Sequence, residues 1–360
     1  MSIQVGLGVF SGEWHPGTGL DQGATLRESI GQVMHAETVG LDSVWVSEHH
    51  FHEAGFVGSV APYMAAMVQA TTSITVGFGL ALAPLHDPIR LAEDAAFLDS
   101  LSSGRCVLGM GLGYRDVEFE GFGGHRRERV GRTVELIEIC RQAWSGEPVE
   151  FDGRYYQRHG LVVSPRPHQL GGPPIMLGGH HPNAIDRTAQ LADRFCMDAG
   201  TDSEAYEQGS GRNRGLIDRV KSAVGLYRDA LDRHGKPSAD PAFSLNVGGF
   251  LHPDGRDAAW DALAEAYLLT RRVYGDWYGL EPAEYATWYP DQLTDEEVAQ
   301  RQSEILLGTP DDIGPVLEEV RDVVGDNLHV MFRSKYPLVD DVTTRQSIDL
   351  LGEVRRRLVG

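Results

Sequence analysis

Short runs rich in β-branched and other apolar residues recur along the chain, and between them lie longer stretches in which apolar positions return every three or four residues. The first pattern suits strands buried on both faces, and the second suits helices with one face on a core. Their alternation predicts βα units around a parallel sheet. The strands fall at Gln4 to Phe10, Ser43 to Ser47, Ile74 to Leu82, Cys106 to Leu112, Pro174 to Leu177, Arg194 to Asp198, Phe243 to Leu251 and His329 to Arg333. The amphipathic segments fall at Thr25 to Thr38, Ile89 to Leu101, Arg126 to Trp144, Asn183 to Leu191, Asn213 to His234, Asp257 to Tyr274 and Thr343 to Leu358. Eight strands alternating with helices fit a closed (β/α)8 TIM barrel of the α/β class better than an open doubly wound sheet. One barrel with insertions can use all 360 residues, so residues 1–360 are expected to form a single domain.

Two stretches depart from the repeat. Glu150 to Val163 carries Asp152-Gly153 between β-prone residues, which predicts a small hairpin inserted before the fifth strand. Residues 274–309, before the eighth strand, are longer than an ordinary barrel connection and hold Tyr274, Trp277, Tyr278, Tyr285, Trp288 and Tyr289. Long insertions in compact domains tend to be lids or binding loops, so this segment is read either as an active-site lid or as a decoration packed on the barrel exterior.

Charge narrows the partners. With 32 Lys and Arg against 52 Asp and Glu the formal net charge is −20, which opposes docking on nucleic acid or on anionic lipid. No run reaches the roughly 18 uncharged apolar residues of a membrane span, and the start MSIQVGLGVF has no signal-peptide pattern. A cytoplasmic, soluble protein is the expectation. Cys106, Cys140 and Cys196 lie far apart without CxxC spacing and read as buried reduced thiols.

In a (β/α)8 barrel the chemistry gathers at the C-terminal ends of the strands. The second strand runs into Glu48-His49-His50-Phe51-His52, the richest acid/base cluster in the chain. Without HExxH or matched ligand spacing, no metal is expected there. An imidazole at a strand end can serve as general base or as hydrogen-bond donor to a bound cofactor, or it can simply orient a loop. The third strand ends in small residues from Gly77 to Pro84, including Gly79 and Leu80, which would let a ligand plane approach the backbone. The fourth strand end, Leu108 to Arg115, adds Gly111, Gly113 and the basic Arg115, but Asp116 stands where the last glycine of GxGxxG would be. After the fifth strand, Gly178, Gly179, His180, His181 and Asn183 open onto a helix whose N-terminus suits a phosphate, although an ordinary βα turn would look the same.

These strand ends, in this order, resemble the bacterial luciferase-like family of flavin-dependent monooxygenases and oxidoreductases. The similarity is strongest from Val5 to about Asp193 and continues more weakly through Gly308 to Ile313. Its most specific parts are EHHF at Glu48 to Phe51, the run from Leu82 to Arg105, and LGMGLG followed by EFEGFG at Glu118 to Gly123. The resemblance implies that the flavin ring sits in the barrel mouth against Gly77 to Leu80, with Gly79-Leu80 as a cis peptide. It also implies that His49 is the catalytic histidine, with Glu48 and His50 beside it, acting as base or hydrogen-bond partner when reduced flavin meets dioxygen. One departure stands out: Leu112 occupies the position where the family often has an arginine on the FMN phosphate. Arg115 is the candidate replacement, with Gly179, His180, His181 and Asn183 on the other side of the phosphate.

The implied activity is a monooxygenase that takes reduced FMN from a separate flavin reductase, uses dioxygen and oxygenates a small organic substrate. Two alternatives stay open. The first is a deazaflavin-dependent oxidoreductase that moves a hydride without dioxygen, toward which Leu112 points. The second is a non-catalytic partner subunit of a luciferase-like heterodimer. The family usually pairs through helices early in the barrel, so a homodimer is expected. Trp277, Tyr278, Trp288 and Tyr289 suggest a substrate with an apolar or aromatic body.

Overall fold

The computed structural model of the chain describes residues 3–16, 21–199 and 215–360. The first half comprises β1 (Gln4–Phe10), α1 (Gln22–Thr38), β2 (Ser43–Val46), α2 (Val60–Ala70), β3 (Thr75–Phe78), β4 (Ala81–Leu82), α3 (Pro88–Leu101), β5 (Cys106–Gly111), α4 (Asp116–Gly121) and α5 (Arg129–Ser145). Next come β6 (Val149–Asp152), β7 (Gln157–Leu161), β8 (Ile175–Gly178), α6 (Pro182–Leu191), β9 (Arg194–Asp198), α7 (Leu216–Arg233) and β10 (Phe243–Leu251). The chain ends with α8 (Arg256–Trp277), α9 (Pro282–Tyr285), α10 (Asp295–Ser303), β11 (Leu306–Gly308), α11 (Pro310–Val324), β12 (Leu328–Arg333) and α12 (Asp341–Val359).

Strands β1, β2, β3, β5, β8, β9, β10 and β12 pair side by side in parallel, and β12 returns to β1. The sheet therefore closes into the expected (β/α)8 barrel, which leaves these eight strands without a free edge. Helices cover its outside because the strands are apolar on both faces: every residue of β1 from Val5 to Phe10 is buried.

The barrel interior is filled rather than open. Trp45, Met176, Cys196 and Met331 form a buried cluster with Leu80 and Val107 packed against it. Gly77 and Gly79 make room for Trp45: a Cβ on Gly77 would come within 2.3 Å of its indole ring, and one on Gly79 within 2.8 Å of its Cβ. Both glycines thus make room for core packing on the side that faces Trp45. The indole Nε1 donates to Ser43 Oγ at 2.8 Å, and Ser43 Oγ lies 2.6 Å from His329 Nε2. Burial, reinforced by the charge of Arg194, lowers the His329 pKa to about 3, so this core imidazole is neutral.

Several elements differ from expectation. The third strand breaks into β3 and β4 around the Gly79–Leu80 bond, which is cis as the resemblance implied. The first of the two inserted strands, β6, pairs antiparallel with β7 as predicted, but the turn uses residues 153–156, whose last three amides donate to the Glu135 carboxylate. Helices α2 and α11 were not among the predicted segments. The first, VAPYMAAMVQA, is apolar on nearly every side and shows no stripe, while the second carries Pro315 inside it, which reads as a break. The predicted start of the fifth helical segment at Asn213 lies outside the described residues.

Residues 274–309 are not one loop. They contain the end of α8, then α9, α10 and β11, which pairs in parallel with the last residues of β10. A satellite core outside the barrel, built on Phe250, Trp260, Tyr267, Ile305 and Leu307, anchors this excursion.

Candidate active site

At the end of β2 the chain turns outward, and its neighbouring acid/base side chains go to different places. Glu48 is 2% exposed and fully occupied. Its Oε2 accepts from the Leu82 amide at 2.6 Å and from His86 Nε2 at 2.9 Å, and its Oε1 accepts from His50 Nε2 at 2.8 Å. Burial alone would raise its pKa, but the hydrogen bonds from His50 and His86, the His86 charge and the Leu82 amide outweigh it and hold the carboxyl at about 2. Reciprocally, Glu48 raises the His86 pKa against the effect of burial. Glu48 is thus a strut that ties β2 to β4 through His50 and His86, with no lone pair aimed into the mouth. The third imidazole, His52, accepts the Ala54 amide on Nδ1 at 3.1 Å and packs edge-on against Trp277 at 5.2 Å and Phe56 at 5.7 Å between centroids.

His49 points the other way, under the end of α8. Its Nε2 lies 3.2 Å from the Tyr274 hydroxyl. Its ring meets Trp277 at 4.9 Å, Phe56 at 5.3 Å and Tyr274 at 5.9 Å between centroids. Burial, together with the positive charges of Arg115 and Arg333, lowers its pKa to about 3 despite the nearby Glu48. The ring is therefore neutral at ordinary pH. Its Nδ1 is sealed from solvent and has no hydrogen-bond partner among the described residues.

Arg115 is engaged with the loop after β2. Its Nη1 donates to the His50 carbonyl at 2.6 Å and to Glu118 Oε1 at 3.2 Å, and its Nη2 donates to the Phe51 carbonyl at 3.5 Å. The Trp277 ring covers the guanidinium at 4.1 Å. Phe51 has a φ of 53°, an uncommon conformation for a bulky residue, and Arg115 and Glu118 hold the loop there from both carbonyl and amide sides. Arg115 is drawn toward the loop after β2, whereas Gly178 to Asn183 follow β8 on the other side of β5. The hydrogen bonds of Arg115 within the protein go to the loop after β2 and to Glu118.

The glycines expected around the mouth have separate reasons. Gly113 adopts a φ of 69° to make the turn after β5, and its carbonyl accepts from Arg129 at 2.6 Å. Gly111 lies against Leu80, and a Cβ on Gly178 would approach the same side chain to 2.8 Å. A Cβ on Gly179 would meet Ala184 at 2.6 Å, which keeps the entry to α6 tight. His180, His181 and Asn183 are exposed at that entry, and His181 Nδ1 accepts the Asn183 amide at 3.2 Å as an N-cap. Deeper on α6, half-buried Arg187 has its pKa lowered first by burial and then by the charge of Arg129. Two guanidinium groups, on α5 and α6, therefore feel one another's charge. Sequence reasoning missed both, because they sit on helices 58 positions apart with no motif to join them.

Other mouth residues were also missed. Glu13, just past β1, is buried and accepts from His15 at 2.7 Å and from Thr270 Oγ1 at 3.5 Å, while its Oε2 lies 3.6 Å from Arg333 at the end of β12. Asn246 donates to Asp198 at 3.2 Å between β10 and β9. Glu13 follows the first predicted strand, Asp198 and Arg333 end theirs, and Asn246 lies within the seventh, so a strand end was the clue for all but Asn246. The aromatic candidates divide. Trp277 covers His49, and Tyr278 stacks on Tyr114 at 4.9 Å between centroids. Trp288 and Tyr289 are not brought to the mouth: Trp288 lies between Arg271 and Arg301, and Tyr289 lies over Arg272.

Residues 6–327 match the family described as luciferase-like monooxygenase. Among curated proteins, an F420-dependent glucose-6-phosphate dehydrogenase of Intrasporangium calvum is 26% identical over 307 residues, covering 83% of this chain and 85% of that one. The chain spans 56% to 63% of the length of several other curated relatives that it matches. A monooxygenase from Streptomyces bottropensis, RslO1, superposes with a TM-score of 0.75 at 20% identity, covering 97% of this chain and 98% of that one. An F420-dependent secondary alcohol dehydrogenase, solved with an F420–acetone adduct, superposes with a TM-score of 0.72 at 20% identity and 98% coverage of both chains.

Proposed function

This chain belongs to the luciferase-like monooxygenase family, and from that premise we propose that it is a deazaflavin-dependent oxidoreductase acting on a small organic substrate. When bound, such a cofactor supplies or accepts a hydride without dioxygen. The observation that carries the choice is the commitment of Arg115 to the loop after β2, which with Leu112 leaves the β5 end without the arginine expected on an FMN phosphate. A curated F420-dependent relative matched over most of its length supports the same direction.

The side chains around the mouth fit a polar ring system. His49 Nδ1, Trp277 Nε1 and Asn246 Oδ1 are buried without a hydrogen-bond partner among the described residues. Orphaned polar atoms of this kind cost stability unless a ligand satisfies them. In this reading His49 meets the reactants, while Glu48 and His50 fix the loop that carries it. Gly79, Leu80, Gly111 and Gly113 line the floor. The α6 entry, Gly178 to Asn183, holds the cofactor phosphate with Arg129 and Arg187. Trp277 and Tyr278 close the mouth over an apolar substrate body.

A second reading, a monooxygenase using reduced FMN from a separate reductase and dioxygen, draws support from the covered mouth. The Tyr114–Tyr278 stack and the Trp277 lid would keep water from reactive oxygen chemistry. A titration with reduced deazaflavin and, separately, with reduced FMN, followed by mixing with aerated buffer, decides between them. Tight binding of the deazaflavin with no oxygen-dependent absorbance transient is the expected result. Tight binding of reduced FMN with such a transient would overturn it. A homodimer is expected in either case, and sedimentation of the purified chain would test it.

A further inference from the structure

We infer that Tyr274, on the last full turn of α8, is a positioning residue that sets the tautomer of His49, so that Nδ1–H is the one imidazole donor offered to the bound molecule. The inference rests on reading His49 as the residue that meets the reactants. Its own geometry is independent of which cofactor binds.

The Tyr274 hydroxyl is 8% exposed as a residue and lies 3.2 Å from His49 Nε2. Between a phenol and a neutral imidazole, two arrangements satisfy that contact. In one the hydroxyl donates to an unprotonated Nε2, and in the other Nε2–H donates to the phenol oxygen. The first is the stronger, because a phenolic hydroxyl is a good donor and its oxygen a poor acceptor, while an unprotonated imidazole nitrogen is a good acceptor. The ring carries a single proton when neutral, so a donating Tyr274 sends that proton to Nδ1.

The remaining contacts agree. Trp277 and Phe56 pack on the His49 ring and restrict its rotation, so Nδ1 cannot exchange places with Nε2. Nδ1 itself is sealed and unpartnered among the described residues, as a donor awaiting an acceptor would be. The bound molecule must then present an acceptor there, such as a carbonyl oxygen or an unprotonated ring nitrogen. A hydroxyl can serve only by accepting.

The experiment is nitrogen NMR on the whole protein labelled with 15N-histidine, with the His49 resonances identified by their loss in His49→Gln. At neutral pH the expected wild-type pattern is Nδ1 in the protonated, pyrrole-like range and Nε2 in the unprotonated, pyridine-like range. In Tyr274→Phe the proton is expected to move to Nε2 or to divide between the two sites. Finding Nε2 protonated in the wild-type chain would overturn the proposal, as would an unchanged pattern in a folded Tyr274→Phe. If that variant does not fold, the wild-type pattern alone decides. A chain that binds neither cofactor would defeat the proposed function and leave this result standing.

Discussion

Burial by itself lowers the pKa of both His86 and His329, and what each imidazole faces decides the outcome. His86 meets the Glu48 carboxylate, and its pKa rises. His329 meets a hydroxyl and the charge of Arg194 in the barrel core, and its pKa falls to about 3 from the ordinary 6.5. Because the unfolded chain takes up a proton at His329 well before the native state does, stability falls as pH drops below about 6.5 and continues to fall toward 3. His49 works in the same direction. Substituting His329→Gln keeps a side chain that can bond Ser43 but removes the titration. Its urea unfolding should show a shallower loss between pH 7 and pH 5 than the wild-type chain, and an unchanged slope would contradict the assignment.

Among the elements, β3 and α8 show how packing and site are joined. Gly77 in β3 and Gly79 just past it leave the room that Trp45 fills in the barrel. Gly77→Ala should therefore destabilise by about 2 to 3 kcal/mol through overpacking, measurable as a lowered thermal midpoint without loss of the barrel's circular dichroism. Pairing the substitution with Trp45→Phe should recover part of that loss. Helix α8 carries Tyr274, Trp277 and Tyr278 to the mouth on its last turn, and the excursion that follows clamps it from outside. Trp288 sits between Arg271 and Arg301, the Arg272 guanidinium donates to the Trp288 carbonyl, and Tyr267 donates to Glu304 at 2.5 Å. The aromatic-rich stretch thus serves as lid at its start and as brace beyond it.

For the molecule as a whole, the net charge of −20 makes any anion-binding site depend on local cations. Arg187 is half-buried beside Arg129, and the described residues show it no acidic partner. Such a group costs the folded state and gains only when an anion arrives. Arg187→Ala should therefore weaken cofactor binding about tenfold, the scale of one charge-assisted hydrogen bond, while leaving urea stability equal or higher. Arg115→Ala should do the reverse, loosening the loop of His50 and Phe51 and lowering stability. Calorimetric titration of both variants with the cofactor that binds would test the contrast. A loss of affinity confined to Arg115→Ala would return the phosphate to that side of the barrel.

The sequence by itself determined the barrel, because strand patterning and helical periodicity are local properties that eight successive units repeat. Strand patterning put His49 just past the second strand, and the resemblance to the family implied the cis bond at Gly79–Leu80 just past the third, each a feature local to its own strand end. The sequence could not show that α2 and α11 are helices, because an all-round apolar segment and an internal proline hide the helical stripe. What only the tertiary structure decided is how side chains from different units share the mouth. Arg115 was legible as a cation near the site, but whether it reaches the phosphate or the loop depends on which neighbour of β5 it faces. Tyr274 and Trp288 look alike in one aromatic run, and a turn of α8 sends the first to His49 while the chain beyond carries the second outside. Arg129 and Arg187 feel one another's charge because β5 and β8, which precede their helices, are adjacent in the closed sheet. Contacts of that kind depend on barrel closure and strand order, which bring together residues that no interval along the chain relates.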